Sequence, residues 1–271
     1  MKTFIRRPGN KTRHLKHIVP NLPKFTGNYI EPFLGTGALY LHLLPKKAIL
    51  NDLNEDIINI WKLVKTDPEY IITEIDKFKK TFLHKTNEEK LKHCKNILKN
   101  MDTYTGKKRT ILYLMMVYCS FTGSIILNGK WRTSSINGNL YSKNQCHVFT
   151  SDYKEKIRKL SEILKNIFIY STDYSEVLKT VKKGDFVFLD PPYIEDKVYA
   201  FNYNKSDNFD IQKLKTELDT LSKNKVKWMM TQIDTTQVRN FFQKYKFYEY
   251  SNNSNFLNGK KSKKELIITN Y

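Results

Sequence analysis

The sequence predicts an α/β protein with a doubly wound sheet, interrupted by an inserted, mostly helical segment. Three observations carry this expectation. Asn28-Tyr29-Ile30, then Glu31-Pro32-Phe33-Leu34-Gly35-Thr36-Gly37, then the apolar run 38–44 follow the order strand, glycine turn, helix, which opens a βαβ unit. From 152 to 269, apolar runs of strand length alternate with stretches of helical period. Between about 67 and 145 only helical patterns and one hairpin signal occur.

Residues 1–27 read as basic and loop-like, with turns at Pro8-Gly9 and at the Pro20/Pro23 pair around a short apolar stripe of Leu15, Ile18 and Val19. His14 and His17 have no third ligand at metal spacing, so no metal site is expected. Ala48-Ile49-Leu50 is a second strand, ending in Asn51-Asp52-Leu53-Asn54. Over 56–65, Ile57, Ile60, Trp61 and Val64 recur at the spacing of a helix face turned to a sheet. Thr66-Asp67-Pro68-Glu69 then supplies a Thr cap, a first-turn proline and a glutamate three residues after the cap.

That signal starts the first insert helix, 69–83. A second runs from the Thr86/Glu89 capping pair to Met101 and a third from Lys107 to Phe121. In the second, Leu91, Cys94, Leu98 and Met101 form the apolar stripe, while Lys90, Lys92, Lys95 and Lys99 fall mostly outside it and suit either a polyanion or plain solvent. Residues 125–132 read as a hairpin turning at Asn128-Gly129.

Beyond the insert, Asp152 and Glu155 open a helix to about Leu164, 167–170 is a strand, and Asp173-Tyr174-Ser175-Glu176 is a capping pair. Phe186-Val187-Phe188-Leu189, bounded by Gly184-Asp185 and two prolines, is a buried strand. Residues 195–208, polar with Tyr199, Phe201 and Tyr203, have the length of a lid or substrate clamp. A helix at 210–222, a strand at 226–230, a helix at 235–245 and two strands, 247–250 and 265–269, antiparallel across Asn258-Gly259, complete the sheet.

The chain of 271 residues suits one large domain or a domain with an insertion, and 40% hydrophobic with 13% aromatic residues supply a core without staples. Lysine and arginine number 47 against 27 acidic residues, a formal +20 spread over many segments. Such an excess favours a polyanionic partner held by salt-sensitive phosphate contacts. A Lys- and Asn-rich chain also follows from an AT-rich genome, so composition leaves both readings open. Cys94, Cys119 and Cys146, odd in number and without CxxC spacing, point to a reducing compartment. The N terminus carries no apolar signal core, and the apolar run 111–119 is far shorter than the roughly 20 residues needed to cross a bilayer. A soluble protein with no membrane partner is expected.

The chemistry concentrates at Asp190-Pro191-Pro192-Tyr193, where strand 186–189 ends. Prolines lack N–H donors and fix φ, so this loop offers a carboxylate, carbonyls and an aromatic face to a planar base bearing an NH₂. One amine hydrogen would go to Asp190 and the other to a proline carbonyl, with the ring stacked on Tyr193. Two acceptors on one NH₂ draw its nitrogen out of conjugation and free a lone pair for attack. The glycine turn admits a ligand close to the backbone, but a pyrophosphate fingerprint would want a small residue where Tyr40 stands. A cofactor with an adenosine and no phosphate fits better, its ribose hydroxyls on Asp52.

Taken in order along nearly the whole chain, these residues resemble the DNA adenine-N6 methyltransferases of the Dam type. The resemblance implies a Rossmann-like methyltransferase sheet, with a catalytic domain of residues 1–66 and 146–271 and a target-recognition insert, 67–145, that ends in the hairpin. It further implies S-adenosylmethionine as methyl donor and adenine in double-stranded DNA, reached by base flipping, as acceptor. On this likeness Arg7 and Lys11 (in Arg7-Pro8-Gly9-Asn10-Lys11), Phe33, Gly35, Gly37, Asp52 and Asp190 serve the cofactor, Asp173 and Tyr174 its adenine, and Asp190, Pro191, Pro192 and Tyr193 catalysis. Asp173 serves equally well as a helix cap, and Arg7 and Lys11 as surface cations.

In the hairpin, Lys130, Trp131 and Arg132 are candidate DNA contacts, a basic and aromatic ribbon suited to a major groove. Relatives carry a Tyr-Asn-Gly-like stretch and an arginine upstream of the hairpin. This chain has Phe121-Thr122-Gly123 and then Ile125-Ile126 there, so an adenine-containing target other than GATC is expected. N4-cytosine or RNA amine methylation would use the same loop, and a DNA-binding relic without turnover is the alternative from another class. An intracellular location, in the cytoplasm or at the nucleoid or nucleus, and a cognate restriction nuclease complete the expectations.

Overall fold

The computed structural model describes residues 1, 3–120, 123–127, 129–136, 152–193, 209–251 and 264–271. Phe121, Thr122, Asn128, Cys146, the segment 195–208 and the Asn258-Gly259 turn lie outside the described residues. The elements in chain order are α1 (Leu15–Ile18), β1 (Tyr29–Glu31), α2 (Ala38–Leu43), β2 (Ala48–Asn51), α3 (Glu55–Thr66), α4 (Pro68–Leu83), α5 (Asn87–Lys99), α6 (Gly106–Cys119), β3 (Ile126–Leu127), β4 (Lys130–Trp131), α7 (Tyr153–Leu164), β5 (Phe168–Tyr170), α8 (Tyr174–Leu178), β6 (Phe186–Leu189), α9 (Ile211–Lys223), β7 (Lys227–Ile233), α10 (Thr236–Phe241), β8 (Lys246–Ser251) and β9 (Lys264–Thr269).

One seven-stranded sheet runs in the order β5-β2-β1-β6-β7-β9-β8. The first five strands are parallel, and β9 lies antiparallel between β7 and β8. From β1 the chain winds outward to β2 and β5, and from β6 it winds the other way to β7. β1 and β6, paired Tyr29 to Phe186 and Ile30 to Val187, are therefore the switch point, where neighbouring strand ends send their loops apart and leave a crevice. This is the doubly wound α/β sheet that the sequence predicts.

Side chains alternate across the pleat, and the two faces bury different sets. Tyr29, Phe186, Phe188, Met229 and Ile267 point into one core with α3 to α7, while Ile30, Val187, Leu189, Met230 and Ile268 point into the other, under α8, α9 and α10. All four residues of β6 are buried, which is why its sequence is an unbroken apolar run. Ile71, Cys94, Leu98 and Met115 of the insert join the same core as β1 and β6, so α4 to α6 continue that face of the sheet through α3 and α7.

Several boundaries differ from the sequence reading, each for a local reason. Residues 11–21 form helical turns, not a loop, because the Asn10 side chain accepts from Thr12 N and Ile18 is buried beneath them. The cap of α4 is Asp67, which accepts from Tyr70 N at 3.1 Å, while Thr66 completes α3 and donates to the Lys62 carbonyl. α10 stops at Phe241, where the chain turns through Tyr245 N to Phe242 O. β7 extends to Ile233, past the apolar stretch, because buried Thr231 and Gln232 keep ladder bonds with β9. No described helix is long and apolar enough to cross a membrane.

Candidate active site

The loop after β1 is held from three sides. Leu34 N donates to Asn51 O at 2.8 Å and Gly37 N to Leu34 O at 2.7 Å, folding the glycine turn back over the end of β2. Gly37 has φ +62°, and a Cβ there would stand 2.6 Å from the Trp61 ring, so no other residue fits this approach. Asp52 accepts from Gly35 N at 2.7 Å and from Asn54 N at 2.9 Å, clamping the turn to the strand end. Asn51, fully buried, donates from Nδ2 to the Pro32 and Thr172 carbonyls, both at 3.0 Å, and accepts at Oδ1 from Thr172 N. One amide thus ties the loops that follow β1 and β5.

The loop after β6 is held as firmly. Asp190 Oδ1 lies 2.9 Å from Lys11 Nζ and accepts from Thr231 Oγ1 at 2.7 Å, while among the described residues nothing bonds Oδ2. Gln232 Nε2 donates to the Pro192 carbonyl at 3.3 Å. The hydroxyl of Tyr193 accepts from Lys11 Nζ at 2.7 Å and donates to Glu265 Oε2 at 2.8 Å, and the lysine also sits 4.6 Å from the centre of its ring. Tyr250 donates to the same Glu265 oxygen at 2.7 Å, and His14 Nδ1 lies 3.4 Å from it.

Burial and charge set the protonation of these groups. Burial works to raise Glu265, but Lys11, His14 and the Tyr250 and Tyr193 hydroxyls outweigh it and hold the carboxyl below its ordinary value. Burial lowers His14 against the pull of Glu265. Glu31, at the end of β1, is the opposite case. Its burial pushes it up to about 8, although it accepts from the Tyr29 hydroxyl at 2.7 Å and from the Tyr40 backbone.

Both loops open on one cleft. Of the residues singled out in the sequence, Arg7, Lys11, Phe33, Gly35, Asp52, Asp190, Pro191 and Pro192 line it. Gly37, Asp173, Tyr174 and Tyr193 are not in that lining. Gly37 starts α2, and Asp173 caps α8 and pairs with Lys213 at 3.1 Å. Tyr174 backs the cleft, its ring 5.1 Å from that of Phe33, with Phe209 5.9 Å away on its other contact. Its buried hydroxyl has no hydrogen-bond partner among the described residues. Sequence reasoning missed Glu31 as a lining group, and Thr231, Gln232, Tyr250 and Glu265 as supports; only the acid in Glu31-Pro32-Phe33 carried a local signal.

Comparison with known proteins decides the family. The model for D12 class N6 adenine-specific DNA methyltransferases matches residues 8–256. The chain belongs to this family. It is 27% identical to the type II methyltransferase M1.LlaDCHI of Lactococcus lactis subsp. cremoris, over 100% of this chain and 96% of that protein. It is 30% identical to the type II methyltransferase M.MjaIII of Methanocaldococcus jannaschii, over 81% of each. With the DNA adenine methylase of Salmonella typhi it shares 23% identity over 91% of this chain and 86% of that one.

In this DNA adenine-N6 methyltransferase the β3–β4 hairpin stands on the insert. Lys130 and Arg132 are exposed, and Arg132 N donates to the Ile125 carbonyl at 2.7 Å to close the ribbon. Trp131 between them is half-buried and donates from its indole to Asp102 at 2.9 Å. The Arg109 guanidinium lies 5.4 Å from its ring and is itself paired with Asp56 of α3 at 2.7 Å. The hairpin's aromatic residue anchors it, and its two cations face outward.

Proposed function

We propose that this methyltransferase uses S-adenosylmethionine and acts on adenine extruded from double-stranded DNA at a specific site. The observation that carries this reading is that Gly35 and Asp52, from the β1 and β2 ends, share one cleft with Asp190 and Pro191 from the β6 end. When bound, S-adenosylmethionine supplies an electrophilic methyl on a sulfonium. The residues fit an adenosine: Phe33 and Tyr174 offer aromatic faces, Asp52 offers carboxylate lone pairs to ribose hydroxyls, and the orphan Tyr174 hydroxyl offers a polar contact at the adenine end. Arg7, Lys11, Gly35, Gly37 and Asp173 complete that set, Gly37 by shaping the turn and Asp173 by fixing α8.

Adenine N6 cannot be reached inside a duplex, so the base must leave the stack. Asp190 Oδ2 and the Pro191 carbonyl then each accept one amine hydrogen, while Pro192 and Tyr193 set the loop and the ring surface. The protein's contribution is positioning and electrostatic fit. Lys130 and Arg132 meet the DNA, with Trp131 as their base, at an adenine-containing site other than GATC, and a cognate restriction nuclease is the partner of this modification.

Incubation with labelled S-adenosylmethionine and a mixed DNA library, followed by mapping of modified positions, tests the reading. One adenine-containing motif should be labelled, and Asp190→Ala should lose roughly 10²–10³ of the rate. Transfer at the wild-type rate by Asp190→Ala would remove the basis of the mechanism.

A further inference from the structure

Resting on the function proposed above, we infer that Glu265, on the last strand and far in sequence from every catalytic motif, is a positioning residue for Tyr193. Its carboxylate is 6% exposed as a residue and sits below the β6 loop, held between β8 and the N-terminal helical turns. The Tyr193 hydroxyl gives its proton to Glu265 Oε2 at 2.8 Å, so its lone pairs face Lys11 Nζ at 2.7 Å. Lys11 in turn reaches Asp190 Oδ1 at 2.9 Å. The series Glu265, Tyr193, Lys11, Asp190 thus fixes the aromatic ring and the amine-accepting carboxylate against each other through one proton orientation.

Glu265 is itself held on several sides. Tyr250 donates to the same oxygen at 2.7 Å, its hydroxyl lies 3.1 Å from His14 Nδ1, and the His17 ring stacks on Tyr250 at 4.7 Å. With the Tyr250 proton committed to Glu265, the His14 hydrogen sits on Nδ1. Rotation of Tyr193 toward or away from the cleft must first break its bond to Glu265. The plate on which the extruded base rests is therefore set by a residue that touches neither base nor donor.

The test compares Glu265→Gln, Glu265→Asp, Tyr193→Phe and the Glu265→Gln/Tyr193→Phe double variant with the wild type. Readouts are kcat on a duplex carrying the mapped site, calorimetric affinity for S-adenosylmethionine, and fluorescence of 2-aminopurine placed at the target adenine. Glu265→Asp keeps the buried negative charge opposite Lys11 and so preserves folding if Glu265→Gln does not, yet its shorter side chain withdraws from the Tyr193 hydroxyl. Each Glu265 variant should lose roughly 10- to 100-fold in kcat, with donor affinity unchanged and altered quenching of 2-aminopurine. The double variant should be no slower than Tyr193→Phe alone, because both act through one hydrogen bond. Wild-type kcat in both Glu265 variants, or additive losses in the double variant, overturns the inference while leaving the function intact. A wild type that labels no DNA adenine removes the function and the inference together.

Discussion

Gly123 packs its α-carbon directly on the backbone of Arg6: a Cβ built at 123 would stand 2.4 Å from the Arg6 carbonyl oxygen and 3.0 Å from the Arg7 Cα. The end of the helical insert is thereby pressed against the segment that supplies Arg7 and Lys11 to the cleft. Tyr118, near the end of α6, reinforces the seam by donating to the Phe4 carbonyl. Gly123→Ala is strained twice, by this approach and by φ +80°. It should cost about 1–3 kcal/mol of stability and push Arg7 from its place, weakening S-adenosylmethionine binding, which thermal melting and calorimetry would measure. Unaltered affinity would separate the insert from the donor site.

Asn51→Ala should be costly for a residue that touches no substrate. Its amide makes bonds to the Pro32 carbonyl and to both the N–H and the carbonyl of Thr172, all at 3.0 Å, the first of them buried and the other two partly so. At about 1 kcal/mol each, the loss should reach about 3 kcal/mol. Urea denaturation of the variant gives the number. A loss below that of an ordinary surface substitution would mean that the two loops are held elsewhere.

The sheet and its switch point were legible because each rests on local chemistry repeated at a fixed period: apolar β6 bounded by Asp185 and Pro191, the glycine turn after β1, and the stripe of Ile57, Trp61 and Val64 on α3. The residues that close the site were not, because each is a single polar side chain whose meaning comes from a distant partner. Thr231 and Gln232 look like the end of an apolar run, yet they are buried strand residues that reach Asp190 and Pro192. Glu265 meets Tyr193 across 72 residues of sequence, and no spacing rule links them. Trp131 shows the converse: aromatic residues in a hairpin suit DNA and protein equally, and only its bond to Asp102 tells which face it uses.

Lys130 and Arg132 should differ in what they contribute to DNA binding. Both are exposed on the hairpin, whereas Trp131 is tied to Asp102. A cation that meets phosphate lowers the slope of log affinity against log salt by about 0.9 when removed. One that reads a guanine edge relaxes sequence preference at a single position instead, at about 1–3 kcal/mol. Binding titrations of Lys130→Ala and Arg132→Ala over a range of salt, on cognate and scrambled duplexes, should show a salt-slope loss for Lys130 and a specificity loss for Arg132. Trp131→Ala should weaken both together by freeing the ribbon. Affinity unchanged in all three variants would remove the hairpin from the DNA interface.

Glu31 links the cleft to pH. Burial raises it from the ordinary 4.5 to about 8, opposed by the Tyr29 hydroxyl and reinforced by nearby Asp190 and Asp52. A carboxyl raised on folding binds its proton more tightly in the native state, so its contribution to stability is full below about 4.5 and is lost as pH rises through about 8. Glu31→Gln removes that titration, and its stability relative to wild type should climb across this window in denaturant melts at successive pH values. The same proton governs ligands, since a cation entering the cleft favours the ionised carboxylate. Affinity for S-adenosylmethionine should therefore rise with pH through about 8 more steeply in the wild type than in Glu31→Gln, the variant accounting for the ligand's own titration. The demethylated product lacks the sulfonium charge and should show a smaller difference between the two proteins. Parallel pH profiles for wild type and Glu31→Gln would place the carboxyl out of reach of the donor's charge.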